Sequence, residues 1–182
     1  MGASNNKPLF DILVDAHAAE IYRYLWRMLQ NEQDAEDCLQ EAFLKSYLAY
    51  DRLDESANYR AWLYRIAGNT ARTRLSGKLR TGILLSDELA DPALPIEQQA
   101  QNQQQLEAVK NAIEALPHKQ REALILRKYQ ELSYEEISTV LDTSVEGARA
   151  NVYQGLKKLR AQFERADSVA VPNLAEESSG VG

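Results

Sequence analysis

The chain has 182 residues, 21 Lys plus Arg against 27 Asp plus Glu, and a formal net charge of −6. Forty-five per cent hydrophobic residues are enough for packed cores in one ordinary domain or two small ones. Eight glycines and five prolines argue against a turn-rich all-β fold, and one cysteine, Cys38, excludes an internal disulfide framework and a Cys-rich zinc site.

Helical periodicity runs along the first part of the chain. Phe10 to Leu29 carries Leu13, Val14, Ile21, Leu25 and Leu29 on one stripe. From Gln33 to Tyr50 the small or apolar positions are Ala35, Leu39, Ala42, Phe43, Ser46, Tyr47 and Tyr50, again in steps of three and four. Asp51 to Asn58 is polar and reads as a loop. Tyr59 to Leu75 is a third helix, with Trp62, Leu63, Ile66 and Ala67 inward and Tyr64 and Arg60 on the other side.

Composition then changes. The stretch that follows holds Ser76, Gly77, Gly82, Pro92, Pro95 and a run of glutamines, so it is linker-like at first and can begin a helix at its end. The expected organisation is a first domain over 7–79, a linker over 80–105, a second domain over 106–165 and a frayed tail over 166–182. In the second domain Leu106 to Leu116 is a helix ended by Pro117, and His118 to Tyr129 is another. Ser133-Tyr134-Glu135-Glu136 is a capping box that opens a short helix to Leu141. Asp142-Thr143-Ser144 is a tight turn, and Val145 to Phe163 is the last helix. Two helices joined by so short a turn, the second ending in basic residues, form the helix-turn-helix pattern; a plain helical hairpin is the bland alternative. The fold class is therefore all-α, two small helical domains joined by a linker.

Charge is segregated along the chain. Residues 28–44 hold Glu32, Asp34, Glu36, Asp37 and Glu41 and no base. Residues 56–86 hold Arg60, Arg65, Arg72, Arg74, Lys78 and Arg80 and no acid. Residues 147–165 hold Arg149, Lys157, Lys158, Arg160 and Arg165 against Glu164 alone. One basic segment is ordinarily a solvated helix face. Two of them on separate helical domains, one in a helix-turn-helix, point to a polyanion held at two places. The acidic segment would repel DNA; it is either a solvated face or a dock for a basic protein surface. Trp62 has the spacing of a core residue, whereas Tyr64, Arg60 and Asn69 can face bases and phosphates.

The run Asp34-Ala35-Glu36-Asp37-Cys38-Leu39-Gln40-Glu41-Ala42-Phe43 resembles region 2.2 of the extracytoplasmic-function (ECF) sigma factors of the bacterial sigma-70 family. Tyr59-Arg60-Ala61-Trp62-Leu63-Tyr64-Arg65-Ile66-Ala67-Gly68-Asn69 resembles their regions 2.3 and 2.4. Leu116 to Leu124 and Leu132 to Ile137 resemble region 4. The resemblance spans about residues 9–165. It implies a sigma region 2 helical bundle and a sigma region 4 helix-turn-helix, binding to core RNA polymerase and promoter DNA, and control by an anti-sigma protein. Asp34, Asp37, Gln40 and Glu41 would then meet the polymerase. The loop Asp54 to Asn58 with Arg60, Tyr64, Arg65, Asn69, Arg72 and Arg74 would meet and open the −10 element. Ser144 would cap the last helix, Arg149 and Tyr153 would read the −35 element in the major groove, and Lys157 and Lys158 would hold phosphates.

Three features stand apart from that pattern. Asn151 occupies a position where many relatives have a second arginine, Gly147 and Gly155 weaken the recognition helix, and Asp142 replaces the usual turn glycine. The alternative reading is a free-standing helix-turn-helix regulator of operator DNA, which leaves the acidic segment without a role. An enzyme is not expected. Cys38 lies beside Asp37, a poor setting for a thiolate, and His17 and His118 are in different domains. With two histidines there is little to hold a metal, and no cofactor is expected. No apolar run approaches the roughly 20 residues of a membrane span, and no export signal opens the chain, so a soluble cytoplasmic protein is expected.

Overall fold

The computed structural model describes residues 7–81 and 107–169, and every described element is a helix. The first half is α1 (Phe10–Leu29), α2 (Glu32–Tyr50) and α3 (Tyr59–Thr81). The second is α4 (107–114), α5 (His118–Lys128), α6 (Tyr134–Leu141) and α7 (Val145–Val169). The expected linker over 80–105 falls almost wholly outside the described residues, as does most of the tail.

Helix ends are set by local chemistry. Gln30 takes a left-handed backbone, φ 51°, and its N–H closes on the Trp26 carbonyl at 2.8 Å. Asn31 then caps α2 by accepting the Asp34 N–H at 2.9 Å. The Asn58 side chain accepts the Ala61 N–H at 2.9 Å and so starts α3. Ser133 and Glu136 make both bonds of the expected capping box, at 3.1 and 2.8 Å. Two helices outrun their expected ends. Helix α3 continues past Leu75 to Thr81 because one isolated glycine, Gly77, is followed by the good helix formers Lys78, Leu79 and Arg80. Helix α7 continues past Phe163 to Val169.

In the first half α1, α2 and α3 all pack on one another. Helix α1 supplies the bulk: Ile21, Tyr24, Leu25, Met28 and Leu29 are almost wholly buried. Helix α2 supplies small residues, with Ala35, Cys38, Ala42 and Ser46 inward, so the neighbouring backbones approach closely. Tyr47, expected on the inner stripe, is 62% exposed; the buried stripe of α2 runs through Ala35, Cys38, Ala42, Ser46 and Tyr50. Burial pushes the Cys38 thiol up to about 11. Trp62 is partly buried against the core, 6.3 Å from the Tyr50 ring.

Arg74 ties α3 to α2. Its Nε donates to Asp34 at 2.9 Å and its Nη2 to Asp37 at 2.8 Å. In the second half α5, α6 and α7 surround Leu126, Leu132, Ile137, Val140, Ala148 and Val152. The two halves are not separate bodies. Helix α3 packs on α6 and α1 on α5, and the buried apolar residues of both halves form one continuous cluster. No described helix is long and apolar enough to cross a membrane.

The Arg74 guanidinium, helped by Gln33, holds the Asp37 carboxyl below its ordinary value of 3.8. A depressed carboxyl contributes stability above its unfolded value and loses it as pH falls through the folded one. A carboxyl NMR titration is therefore expected to place the Asp37 midpoint below 3.8, and Arg74→Gln is expected to return it toward that value.

Candidate nucleic-acid interface

The turn between α6 and α7 is built as a helix-turn-helix requires. Asp142 is left-handed, φ 51°, and its N–H bonds the Ser138 carbonyl, so an aspartate does fill the place of the usual turn glycine. Ser144 Oγ accepts the Gly147 N–H at 3.0 Å and caps α7 as expected. Ile137, Val140, Leu141, Ala148 and Val152 seal the crossing. On the opposite side Arg149, Tyr153 and Lys157 follow one another at four-residue spacing, all exposed, with Lys158 and Arg160 beside them.

Arg149 is already oriented. Its guanidinium lies 5.1 Å from the Tyr134 ring centroid, and Arg127 lies 4.9 Å from the same ring. Asn151 does not project as a second reader; its amide donates to the Gly147 carbonyl at 2.8 Å, within its own helix. Gly155 has a packing reason rather than being merely a weak point. A Cβ there would stand 3.3 Å from the Gln120 carbonyl oxygen, so the missing side chain lets α7 lie close on α5.

The acidic face of α2 is partly as expected. Asp37 is half-exposed, and Gln40 and Glu41 point to solvent, with Glu41 paired to Lys45 at 2.6 Å. Asp34 is a correction. It is buried, 6% exposed, because it accepts from Arg74 and so holds α2 to α3 rather than facing a partner.

Helix α3 requires the largest corrections. Tyr64 was expected to face bases, yet it is fully buried. Its ring stacks edge-on at 5.3 Å from Tyr24, and its hydroxyl donates to Gln130 Oε1 at 3.1 Å. Burial also pushes that hydroxyl well above its usual range. Arg60 donates to Glu20 at 2.7 Å and to the Gln130 carbonyl at 2.9 Å. Arg65 pairs with Asp142 at 3.2 Å. Arg72 donates to Glu122 Oε1 at 2.6 Å and also to Asn69. Asn58 donates to Glu136 at 3.2 Å while capping α3. The expected free basic face is thus neutralised. Glu20 and the α2 acids do this within the first half, and Glu122 and Asp142 do it from the second. The physical reason is that α3 buries two opposite faces, whereas its apolar spacing marks only one.

Glu20, Glu122 and Gln130 were absent from the sequence reading. A glutamate inside α5 and another inside α1 have no local signature of burial; only the arginines that meet them across the fold reveal them.

Among the described residues no group of three acidic, histidine or cysteine side chains can hold a metal. The model of sigma-70 region 2 matches residues 13–81, and that of sigma-70 region 4 matches 106–159. The ECF RNA polymerase sigma factor SigW of Bacillus subtilis (strain 168) is 31% identical over 166 residues, covering 85% of this chain and 88% of its own. The RNA polymerase sigma-H factor of Pseudomonas aeruginosa is 34% identical over 162 residues, covering 82% and 83%. In three dimensions the chain resembles the sigma factor RpoE, solved with the anti-sigma factor NepR from Bartonella quintana. The TM-score is 0.67 at 18% identity, over 85% of this chain and 96% of that one. It also resembles CnrH, solved with the cytosolic domain of CnrY, with a TM-score of 0.63 at 23% identity over 86% and 88%. These last two likenesses concern the fold alone, whereas the matched regions and the curated relatives concern the sequence itself. On those matches the chain belongs to the sigma-70 family, among its ECF sigma factors.

Proposed function

We propose that the chain is a promoter-specificity subunit that binds core RNA polymerase and directs it to −10 and −35 elements. The observation that carries this is the row Arg149, Tyr153 and Lys157 on the open face of a helix-turn-helix, in the same chain as an outward acidic face on α2. The protein is not a catalyst; its work is recognition. Net charge of −6 disfavours tight binding of bare duplex, so the basic rows act when a second surface holds the complex together.

The roles divide by chemistry. Asp37, Gln40 and Glu41 meet basic residues of the polymerase, where complementary charge sets orientation and encounter rate. Arg149 reads a guanine with its planar fork, worth about 1–3 kcal/mol of discrimination. Tyr153 contacts a phosphate or a thymine methyl, and Lys157 and Lys158 hold the backbone without sequence choice. The N-terminus of α7 at Ser144 favours a phosphate. Arg65, Asn69 and Arg72, with the loop ending at Asn58, serve the −10 strand once Asp142 and Glu122 are withdrawn. Arg60 and Arg74 keep their carboxylate partners inside the first half, so they position α3 and do not bind phosphate. Asp34 likewise positions α2. The solved relative held by NepR supports a further partner of the same kind, an anti-sigma protein that covers these surfaces.

Run-off transcription with purified core polymerase on a randomised promoter library tests the reading. Initiation at selected sequences only when the chain is present is expected; no selected promoter would overturn it. Asp37→Arg with Glu41→Arg is expected to lower core binding at least about tenfold while far-UV circular dichroism stays unchanged, since each exposed charge reversal adds repulsion to lost attraction. Arg149→Ala is expected to relax one base position of the selected −35 element, with a loss of about 1–3 kcal/mol there.

A further inference from the structure

Three side chains stack beside the recognition helix: Arg127, Tyr134 and Arg149. Tyr134 is the first residue of α6. Its backbone is pinned, because Ser133 and Glu136 exchange both bonds of the capping box around it. Its ring is partly buried against the core. Arg127, in the last turn of α5, lies 4.9 Å from the ring centroid and donates from Nη1 to the Leu132 carbonyl at 2.9 Å. This inner cation is therefore tied to the loop before α6. Arg149 is the outer cation, exposed and 5.1 Å from the same centroid. Among the described residues Arg149 forms no ion pair, unlike the arginines of α3. The difference matters chemically. A carboxylate partner occupies the N–H donors of a guanidinium and cancels its charge, whereas an aromatic face holds the group and leaves its N–H edge free. Among the described residues neither Lys157, Lys158 nor Arg160, farther along α7, has a ring beneath it.

We infer that Tyr134 is a specificity-determining positioning residue, whose ring holds the Arg149 guanidinium in the orientation from which it reads a base of the −35 element. The role at the base rests on the promoter-factor reading; the stack itself does not. A free arginine side chain loses rotamer freedom when its fork meets a base, and it can equally swing to a neighbouring base or a phosphate. Held over a ring beforehand, it meets DNA with that freedom already spent and with fewer wrong partners in reach. Arg127 adds to this from inside, since its fixed charge repels Arg149 and keeps it from turning inward. Selectivity on α7 also has few other sources. The Asn151 amide is engaged with the Gly147 carbonyl of its own helix. Lys157 and Lys158, without a ring, suit phosphates, which a point charge can hold from many directions.

Selection from promoters randomised over the −35 element, with the full chain and core polymerase, tests the role. One position is expected to show a preference for guanine that Arg149→Ala removes. Tyr134→Leu is expected to reduce that preference about threefold, the size of an exposed cation–π contact, and to leave the other positions unchanged. Tyr134→Phe is expected to retain it, because the ring remains. In the Arg149→Ala background Tyr134→Leu is expected to be silent at that position. Pentafluorophenylalanine at position 134 keeps the shape of the ring and reverses its quadrupole, so it is expected to match Tyr134→Leu and covers the case in which the leucine variant fails to fold. An undiminished preference with the fluorinated ring, an equal loss in Tyr134→Phe, or a loss that persists without Arg149 overturns the assignment. Nitrogen-15 relaxation of the Arg149 Nε–H group in the free chain gives a readout without polymerase or DNA. Restricted motion is expected, and Tyr134→Leu is expected to release it; a mobile Arg149 in the unchanged chain overturns the stack. Restricted Arg149 together with no run-off transcription from any sequence overturns the promoter-factor reading and leaves the stack standing.

Discussion

Helix α3 has six basic residues and no acid along its 23 positions, and a helix so charged repels itself wherever like charges stand one turn apart. The rest of the fold answers that constraint. All four of its arginines among the described side chains end on carboxylates, and those carboxylates come from three helices and one turn. Glu20 comes from α1, Asp34 and Asp37 from α2, Glu122 from α5, and Asp142 from the turn before α7. A helix with no acid of its own is thus neutralised by the acids of its neighbours. Two of these ion pairs cross between the halves, beside the apolar cluster that both share.

The partners fall into two groups with different permanence. Glu20, Asp34 and Asp37 lie in the same three-helix bundle as α3, so they stay with it whatever the other half does. Glu122 and Asp142 belong to the other half. Arg60 and Arg74 are therefore compensated within their own bundle, whereas Arg65 and Arg72 depend on the packing of the second half. The buried pair is the costly one to break, since a lone carboxylate left without water or partner is far worse than a hydrated one.

Features legible in the sequence were those decided within a few residues. The Ser133–Glu136 box, the Ser144 cap, the left-handed Asp142 and the outward row of Arg149, Tyr153 and Lys157 all follow from spacing and local hydrogen bonding. Spacing also marked the helices, though it stopped α3 and α7 early because Gly77 and the polar residues after Phe163 read as breaks. What spacing did not reveal was contact at long range. Tyr64 looks outward when only the Trp62–Ile66 stripe is counted, and a second half packing on the far side buries it. Asp34 and Arg74 look like two solvent charges of opposite use until the fold sets them 2.9 Å apart. Glu122 looks like any surface acid of a polar helix until Gly68 is found beneath it.

The burial of Cys38 bears on how this protein meets oxidants. It is the only cysteine in the sequence, wholly enclosed, and its thiol ionises near 11. At neutral pH about one molecule in ten thousand would carry the thiolate, and peroxides react with the thiolate rather than the thiol. Oxidants therefore find no sulfhydryl handle on the chain. A thiol-directed oxidant reaches this chain only after the core around Cys38 has opened.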